Sequence, residues 1–377
     1  MRTTSFPEVS FMREAMRLAR KGIGRTSPNP AVGAVVVRGG RVVGKGFHRG
    51  AGLPHAEAEA LRDAGKAARG ADMYVTLEPC DHQGRTAPCT KAILDAGIAR
   101  VAYAIEDPNP IVSGRGAKRL REAGLTLHSG LLSGDAFEMN RAWRHWIVSG
   151  KPFVTLKLAV SLDGQIAAAS GESRWITGER ARLAVHQMRR VSDAILVGGE
   201  TARKDDPLLT PRVPGKAGGR LPKRIVLTSR PSELEKSRLF GSTGGDVIIV
   251  CASCRLSAKE AKTLSVRGVK ALRLPSKKGK IRAADLLSAL GSENVTSLLV
   301  EGGGKTAGWL VEEGAVDRYV IFAAPLLLGE GIRAVSGWAA AAPSSGKRFA
   351  FKDIRRIGSD LMVVAENLAT KTDLTSP

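Results

Sequence analysis

Cysteine and aromatic residues are scarce in this chain. Four cysteines in 377 residues cannot build a disulfide scaffold and suit a reducing compartment, where thiolates serve metals. Aromatic side chains make up 5%, too few for a groove that stacks single-stranded nucleic acid. No run approaches the ~20 apolar residues of a membrane span. The N-terminal segment Met1-Arg2-Thr3-Thr4-Ser5-Phe6-Pro7 lacks the apolar core of a signal peptide. Together these absences point to a cytoplasmic chain with neither a membrane nor a nucleic acid as partner. Acidic residues are also few, with 36 Asp+Glu facing 58 Lys+Arg for a net charge of +22. Residues 1–150 carry 22 Lys+Arg against 14 Asp+Glu, a net +8, and the other 227 residues carry +14. The excess is spread over the chain rather than gathered in a tail. It fits a small phosphorylated substrate and a phosphorylated cofactor on a generally basic surface.

At roughly 150 residues per domain, the length predicts two or three domains. Hydrophobic residues reach 43%, enough for each to bury a core. Residues 8–21 place Phe11, Ala15 and Leu18 on one helical face. Val32 to Arg38 and Arg41 to Phe47 read as a hairpin around Gly39-Gly40. A helix opens at His55 and Glu57, and Met73 to Leu77 is a short buried strand that delivers Cys80 to a helix start. Cys89 begins another helix, so both sulfurs are expected near helix N-termini, where the dipole favours thiolate. A strand at 101–105 and helices at 116–123 and 134–148 complete the first domain, 1–148. Its Trp143 and Trp146 are expected to pack against the second domain. After the linker Ser149-Gly150-Lys151-Pro152, a second domain is expected over 152–368, with a frayed tail at 369–377. Its expected elements are strands at 153–160, 194–197, 224–228, 246–251 and 295–300 and a helix at 179–191, with a long loop at 207–223.

His55-Ala56-Glu57, Pro79-Cys80 and Pro88-Cys89 follow the order of the zinc nucleobase-deaminase signature. One imidazole and two thiolates hold zinc and leave a position for the water that attacks an amino-bearing ring carbon. A purely structural zinc site would normally bring four protein ligands. Glu57, too close to His55 to ligate, is left to carry protons. Eight residues separate the cysteines where two are usual, which marks a subfamily. Cys251 and Cys254 have half-zinc-site spacing, but no second pair completes them.

A second chemistry is written at Glu301-Gly302-Gly303-Gly304-Lys305-Thr306-Ala307-Gly308. A strand, a glycine run and a helix start together form a cradle for phosphate. Gly304-Lys305-Thr306 resembles the end of a P-loop, but the loop's first glycine would fall at Leu299. Gly302, Gly304 and Ala307 fit G-x-G-x-x-A, yet no acid follows ~20 residues on to hold an NAD ribose. An NADP-type site and a tight packing turn both stay open.

The chain resembles the bifunctional deaminase/reductases of riboflavin biosynthesis. The first half shares Pro28-Asn29-Pro30-Ala31-Val32-Gly33, Pro54-His55-Ala56-Glu57, Thr76-Leu77-Glu78-Pro79-Cys80, Gly84-Arg85-Thr86 and Asp107-Pro108-Asn109-Pro110 with them. The second half shares Lys157-Leu158-Ala159, Ser161-Leu162-Asp163-Gly164, Ser173-Arg174-Trp175-Ile176-Thr177, Asp205-Asp206-Pro207-Leu208-Leu209-Thr210 and Glu301-Gly302-Gly303. The resemblance implies an N-terminal cytidine-deaminase-like three-layer α/β/α domain and a C-terminal dihydrofolate-reductase-like α/β domain. It implies deamination of a phosphoribosylamino-pyrimidinone, then reduction of its ribosyl unit by NADPH, in a homo-oligomer. His55, Cys80 and Cys89 become the zinc ligands, Glu57 the catalytic carboxyl, and Asn29 and His48 the pyrimidine pocket. Ala159, Trp175, Thr201, Asp205, Ser229, Gly303, Gly304, Lys305, Thr306, Ala307, Gly308 and Trp309 match cofactor positions. Ser173, Arg189, Leu209, Arg212 and Glu301 match substrate positions. The competing reading is a nucleic-acid deaminase of the tRNA type fused to an accessory domain. The zinc motif and net charge favour it; the long Cys80–Cys89 loop and the glycine cradle oppose it.

Overall fold

The structure is a computed structural model that describes residues 6–82, 87–110, 112–215, 219–234, 236–241 and 245–368. Gly84-Arg85-Thr86 and the tail at 369–377 lie outside the described residues. Internal contacts divide the chain into two units, Met1–Gly150 and Lys151–Pro377.

The first unit runs α1 (Val9–Ala19), β1 (Gly33–Arg38), β2 (Arg41–Phe47), α2 (Ala56–Ala64), β3 (Asp72–Val75), α3 (Cys89–Asp95), β4 (Arg100–Tyr103), α4 (Arg115–Glu122), β5 (Thr126–Ser129), α5 (Ser133–Met139) and α6 (Arg141–Ser149). Its sheet has the order β2-β1-β3-β4-β5. β1 is antiparallel to both β2 and β3, while β3, β4 and β5 are parallel. Met12 and Ala15 of α1, Ala56 and Ala60 of α2, and the apolar residues of β1, β3 and β4 share one core. Glycines set the closeness of that packing. A Cβ on Gly33 would sit 2.1 Å from the Ala15 carbonyl oxygen, and one on Gly46 would sit 2.2 Å from that of Ala56. Both helices therefore lie directly on strand backbone.

Three expectations are corrected here. Cys80 does not start a helix; its carbonyl accepts the Thr90 N–H at 3.2 Å, and among the described residues the next helix starts at Cys89. Asp81 accepts a short hydrogen bond from the Thr90 hydroxyl, which pins this non-helical entry. The helix expected over 134–148 breaks at Asn140. The buried amide of Asn140 accepts from the Ala31 N–H at 2.8 Å and donates to the Ala31 carbonyl at 3.0 Å, a pairing that takes precedence over a continuous helix. Trp143 belongs to the first unit's own core, with Trp146 packed at its margin.

The second unit runs β6 (Phe153–Val160), β7 (Gln165–Ala167), α7 (Glu179–Val191), β8 (Ala194–Gly198), α8 (Gly199–Asp205), β9 (Lys223–Leu227), β10 (Val247–Ala252), α9 (Ala258–Val266), β11 (Val269–Leu274), α10 (Ala283–Ser292), β12 (Ser297–Val300), α11 (Gly304–Glu312), β13 (Arg318–Ala323), β14 (Ile332–Arg333), β15 (Phe349–Ile357) and β16 (Asp360–Asn367). Nine strands form one sheet in the order β11-β10-β9-β8-β12-β6-β13-β16-β15. Every pairing from β11 to β13 is parallel, and the last two are antiparallel. Successive side chains of a strand point to opposite faces, and the cores follow that period. Ala194 and Leu196 of β8 join Leu286 and Leu310 of α10 and α11. Ile195 and Val197 join Ala202 and Leu264 of α8 and α9 on the other face. β8 and β10 are apolar and buried throughout because both of their faces are covered.

We predict that Gly46→Ala displaces α2, since the added methyl meets backbone on both sides. Overpacking of this kind costs about 1–3 kcal/mol. Thermal unfolding of the first unit should show a lower midpoint, and an unchanged midpoint would mean that α2 can give way.

Candidate active sites

In the first unit, two helix starts converge. His55 is the N-cap residue of α2, and Glu57 lies in its first turn, almost fully buried. Cys89 is the first residue of α3 and is buried, while Cys80 follows β3 on its loop. His55 Nδ1 stands 3.2 Å from Cys89 Sγ and 3.6 Å from Cys80 Sγ. The three ligand atoms all lie within 4.8 Å of one another. One nitrogen and two sulfurs at this separation fit a tetrahedral zinc with one position open. Cys80 is held down to about 4 by the hydrogen bond from Cys89 and then by His55, so its thiolate forms first. Burial pushes the Glu57 carboxyl up to about 6, with the Cys80 charge adding to it and His55 opposing it.

His48 and Asn29 stand beside this group. The His48 and His55 rings meet edge to face at 5.4 Å. His48 Nδ1 lies 3.1 Å from the Pro54 carbonyl, which can only accept, so that nitrogen carries the proton. His48 Nε2 then accepts from the Asn29 amide nitrogen at 3.0 Å, which orients the Asn29 carbonyl away from the imidazole. Burial lowers the His48 pKa and keeps the ring neutral.

Glu78 carries a role that the sequence motif contained but did not reveal. Its buried carboxylate accepts from the backbone N–H groups of Asp107, Gly114 and Ala117 at 3.3, 3.1 and 3.0 Å. It thereby ties the segment before α4 to the strand end that carries Cys80. A Cβ on Gly116 would lie 1.8 Å from the Pro79 carbonyl oxygen, so α4 is seated on Pro79 itself.

In the second unit, Glu301 follows β12 and meets Arg189 of α7 in a two-pronged ion pair of 2.6 and 2.7 Å. Both side chains are largely buried. Burial pushes the Glu301 carboxyl up, but the Arg189 hydrogen bonds and charge outweigh it and hold it below the ordinary range. Lys157 of β6 joins them. It lies on the face opposite Leu156 and Leu158, and burial lowers its pKa, with Glu301 opposing and Arg189 adding to the shift. Sequence reasoning passed over Lys157. Its signal was a lysine amid the apolar residues of β6, an interior strand of the sheet. Arg189 also donates to the Thr210 carbonyl at 3.3 Å, and the Arg212 N–H donates to His186 Nδ1 at 3.2 Å. The 207–212 segment is thus anchored along α7 with the exposed Arg212 at its edge. Leu209 has its side chain in the core, so only its backbone can face a ligand. Ser173 is half-buried, and no recorded contact brings it to this cluster.

The glycine run turns immediately after Glu301. Gly303 caps α11 with φ +63°, a conformation that favours glycine, and a Cβ there would lie 3.0 Å from Thr201 Oγ1 of α8. Gly304 and Gly308 press instead on the backbone of Arg333 and Ser336, and Ala307 is in the core. Gly303, Thr201, Thr306 and the exposed Lys305 are therefore the members of the run and its surroundings that present a cradle. Lys305 pairs with Glu200 at 3.3 Å. The Trp309 indole donates to Glu313 at 3.0 Å, and the Asp205 carbonyl accepts from Arg174 at 3.1 Å. Trp175 is 69% exposed beneath the Arg182 guanidinium, Ser229 is exposed after β9, and Ala159 is half-buried in β6.

Residues 7–105 match the family model for the cytidine and deoxycytidylate deaminase zinc-binding region, and residues 152–363 match that for the RibD C-terminal domain. The riboflavin biosynthesis protein RibD of Escherichia coli is 39% identical over 362 residues, covering 93% of this chain and 97% of that one. The chain belongs to the RibD family. The Bacillus amyloliquefaciens RibD is 38% identical over 360 residues, covering 95% and 96%. The solved Acinetobacter baumannii RibD superposes with a TM-score of 0.87 at 34% identity, covering 95% of this chain and 98% of that one. A Thermotoga maritima diaminohydroxyphosphoribosylaminopyrimidine deaminase/5-amino-6-(5-phosphoribosylamino)uracil reductase gives 0.83 at 34% identity over the same shares. The chain is a bifunctional deaminase and reductase of riboflavin biosynthesis, with a cytidine-deaminase-like α/β unit followed by a reductase unit. The fusion runs through relatives of the same length, which disposes of the tRNA-type alternative. Among the described residues, no helix is long and apolar enough to cross a membrane.

Glu301→Gln should leave the Arg189 charge buried without its partner, at a cost of about 3–5 kcal/mol. Denaturant unfolding should register that loss, and Arg189→Met/Glu301→Gln should recover part of it. A single variant as stable as the parent would mean that the pair is open to solvent.

Proposed function

We propose that this chain first deaminates 2,5-diamino-6-(5-phosphoribosylamino)pyrimidin-4(3H)-one and then reduces the resulting 5-amino-6-(5-phosphoribosylamino)uracil to its ribityl form with NADPH. For deamination, the supporting observation is the His55, Cys80 and Cys89 cluster with a buried carboxyl, Glu57, two residues from the imidazole. His55, Cys80 and Cys89 would hold zinc, which would supply Lewis acidity to the attacking water. Glu57, with its proton affinity raised by burial, takes a proton from the water and delivers it to the ring nitrogen. It then carries the second proton to the departing ammonia, so one water enters and one ammonia leaves. Asn29, oriented by neutral His48, presents its carbonyl to the pyrimidine.

For reduction, the supporting observation is Lys157 beside the Arg189–Glu301 pair, two residues from the Gly303 cradle. NADPH supplies a hydride when bound. Gly303, Lys305 and Thr306 would hold its diphosphate at the start of α11, with Thr201 across from Gly303. Lys157, its pKa lowered by burial, gives a proton to the ribose ring oxygen as the bond from that oxygen to C1′ breaks. Hydride from a bound cofactor would leave C1′ as a methylene, and Lys157 recovers its proton from solvent. Arg189 is committed to Glu301, so the exposed Arg212 is the guanidinium left for the substrate phosphate. The reaction takes place in the cytoplasm, whose reducing conditions keep Cys80 and Cys89 as thiols.

Incubating the full chain with zinc, NADPH and the pyrimidinone should yield the ribityl uracil and NADP. Glu57→Gln should keep its zinc yet lose deamination by at least ~10²-fold, while still reducing the deaminated intermediate. Normal turnover by that variant would remove Glu57 from the mechanism. Gly303→Val should raise the KM for NADPH without touching deamination, because a side chain would block backbone approach to the phosphates. An unchanged KM would place the diphosphate elsewhere.

A further inference from the structure

The two sulfurs of the first unit stand on different footings. Cys89 is the first residue of α3 and has a helix to hold it. Cys80 lies between β3 and α3, outside both. Its neighbours fix it, and each of them reaches α4. Glu78 accepts from the Gly114 and Ala117 N–H groups at 3.1 and 3.0 Å. The Pro79 carbonyl oxygen lies 1.8 Å from where a Cβ on Gly116 would be. Asp81 meets the Arg119 guanidinium at 3.3 Å. Residues 78, 79 and 81 are thus laid along one helix. Cys80 is left to turn its sulfur toward His55 Nδ1, 3.6 Å away.

Asp81 also reaches α3. The oxygen that faces Arg119, Oδ1, accepts the Thr90 hydroxyl. Beside it, the Cys80 carbonyl accepts the Thr90 N–H at 3.2 Å. Thr90 follows Cys89 as Asp81 follows Cys80, so two hydrogen bonds join the residues that flank the two sulfurs. Thr90 is fully buried, and a hydroxyl there needs an acceptor; Asp81 supplies it. These contacts use no ligand atom, so the protein can form them by itself and hold the two thiols at one separation. Groups that orient metal ligands from outside the coordination sphere change metal affinity by roughly 10–100-fold when removed. The zinc signature assigns roles to His55, Glu57, Cys80 and Cys89 and leaves Asp81, Thr90 and Arg119 without one.

We propose that Asp81, acting through Thr90 and Arg119, is a positioning residue of the deaminase: it locks the Cys80 segment between α3 and α4 and thereby sets how tightly zinc is retained. The inference rests on the zinc reading given under Proposed function. The hydrogen bond to Thr90 is the operative part. A carboxylate beside two thiolates would by its charge alone repel them, and Arg119 offsets that charge.

Zinc affinity of the full chain is read by competition with a chromogenic chelator, and zinc release by transfer to an excess of the same chelator. Asp81→Ala and Thr90→Val should each weaken affinity by ~10–100-fold and speed release in parallel. The double variant should be little worse than either single one, because the two side chains share one contact. Asp81→Asn keeps an acceptor and Thr90→Ser keeps the hydroxyl, so both should lose much less. Arg119→Met should weaken affinity, though less than Asp81→Ala. Val101→Ala truncates a fully buried side chain of β4, outside the ligand segments. It should lower the melting temperature yet keep the parent's zinc affinity, which separates positioning from loss of stability. Parental affinity in Asp81→Ala, Thr90→Val or Arg119→Met would overturn the proposal. So would losses that multiply in the double variant, or an equal loss in Val101→Ala. A parent chain that took up no zinc would instead overturn the zinc reading itself.

Discussion

The contact between α2 and β2 leaves no room for a side chain. Cβ atoms on Gly44 and Gly46 would fall 2.3 and 2.2 Å from backbone oxygens of α2. The helix that begins at His55 is therefore fixed against the sheet by main chain alone. This fixes where His55 and Glu57 can be, and α3 brings Cys89 to the same point from the other side of the inter-cysteine loop. Glu78 completes the arrangement by tying the α4 segment to the strand end that bears Cys80. Ligand geometry in the deaminase is thus a consequence of backbone packing, and the metal chemistry follows from the donor types. Burial makes the charged form of the Glu57 carboxyl costly and raises its proton affinity.

The reductase unit is organised by a different constraint. Parallel strands covered on both faces leave their carboxyl ends as the available edge for a ligand. Glu301 and Gly303 occupy one such end, two residues apart. Burying Arg189 with Glu301 contributes little to stability compared with an apolar pair of the same shape. Its value here is positional, because it holds a negative charge close enough to oppose the lowering of the Lys157 pKa by burial. The Arg212 guanidinium, anchored through its backbone to His186, is left accessible for an anionic substrate.

Much of this was legible in the sequence, and the boundary follows the physics. His55, Cys80 and Cys89 could be read from spacing because zinc ligation admits few residue types, and the fold buries Glu57 beside them. The buried parallel strands β6, β8, β9, β10 and β12 were legible as apolar runs, whereas β13, Arg318–Ala323, was not read as a strand although it pairs in parallel with β6. Edge strands were not legible: β5, Thr126–Ser129, is short and exposed, and β15, Phe349–Ile357, is exposed and rich in charge, so neither shows an apolar run. The break at Asn140 depends on Ala31, more than a hundred residues away, and no local pattern announces it. The roles of Lys157 and Glu78 were hidden for the same reason, since each is defined by partners distant in sequence. The glycine run was legible as a turn, but only the fold separates Gly303, which opens toward Thr201, from Gly304 and Gly308, which are packing contacts.

The account's central claim is that one imidazole and two thiolates hold zinc beside a free carboxyl. X-ray absorption at the zinc edge of the full chain, loaded with one equivalent of zinc, tests it most directly. The expected result is two sulfurs at ~2.3 Å, one nitrogen at ~2.0–2.1 Å and one further light-atom ligand. A shell of three or four sulfurs, or one without sulfur, would contradict the site built from His55, Cys80 and Cys89.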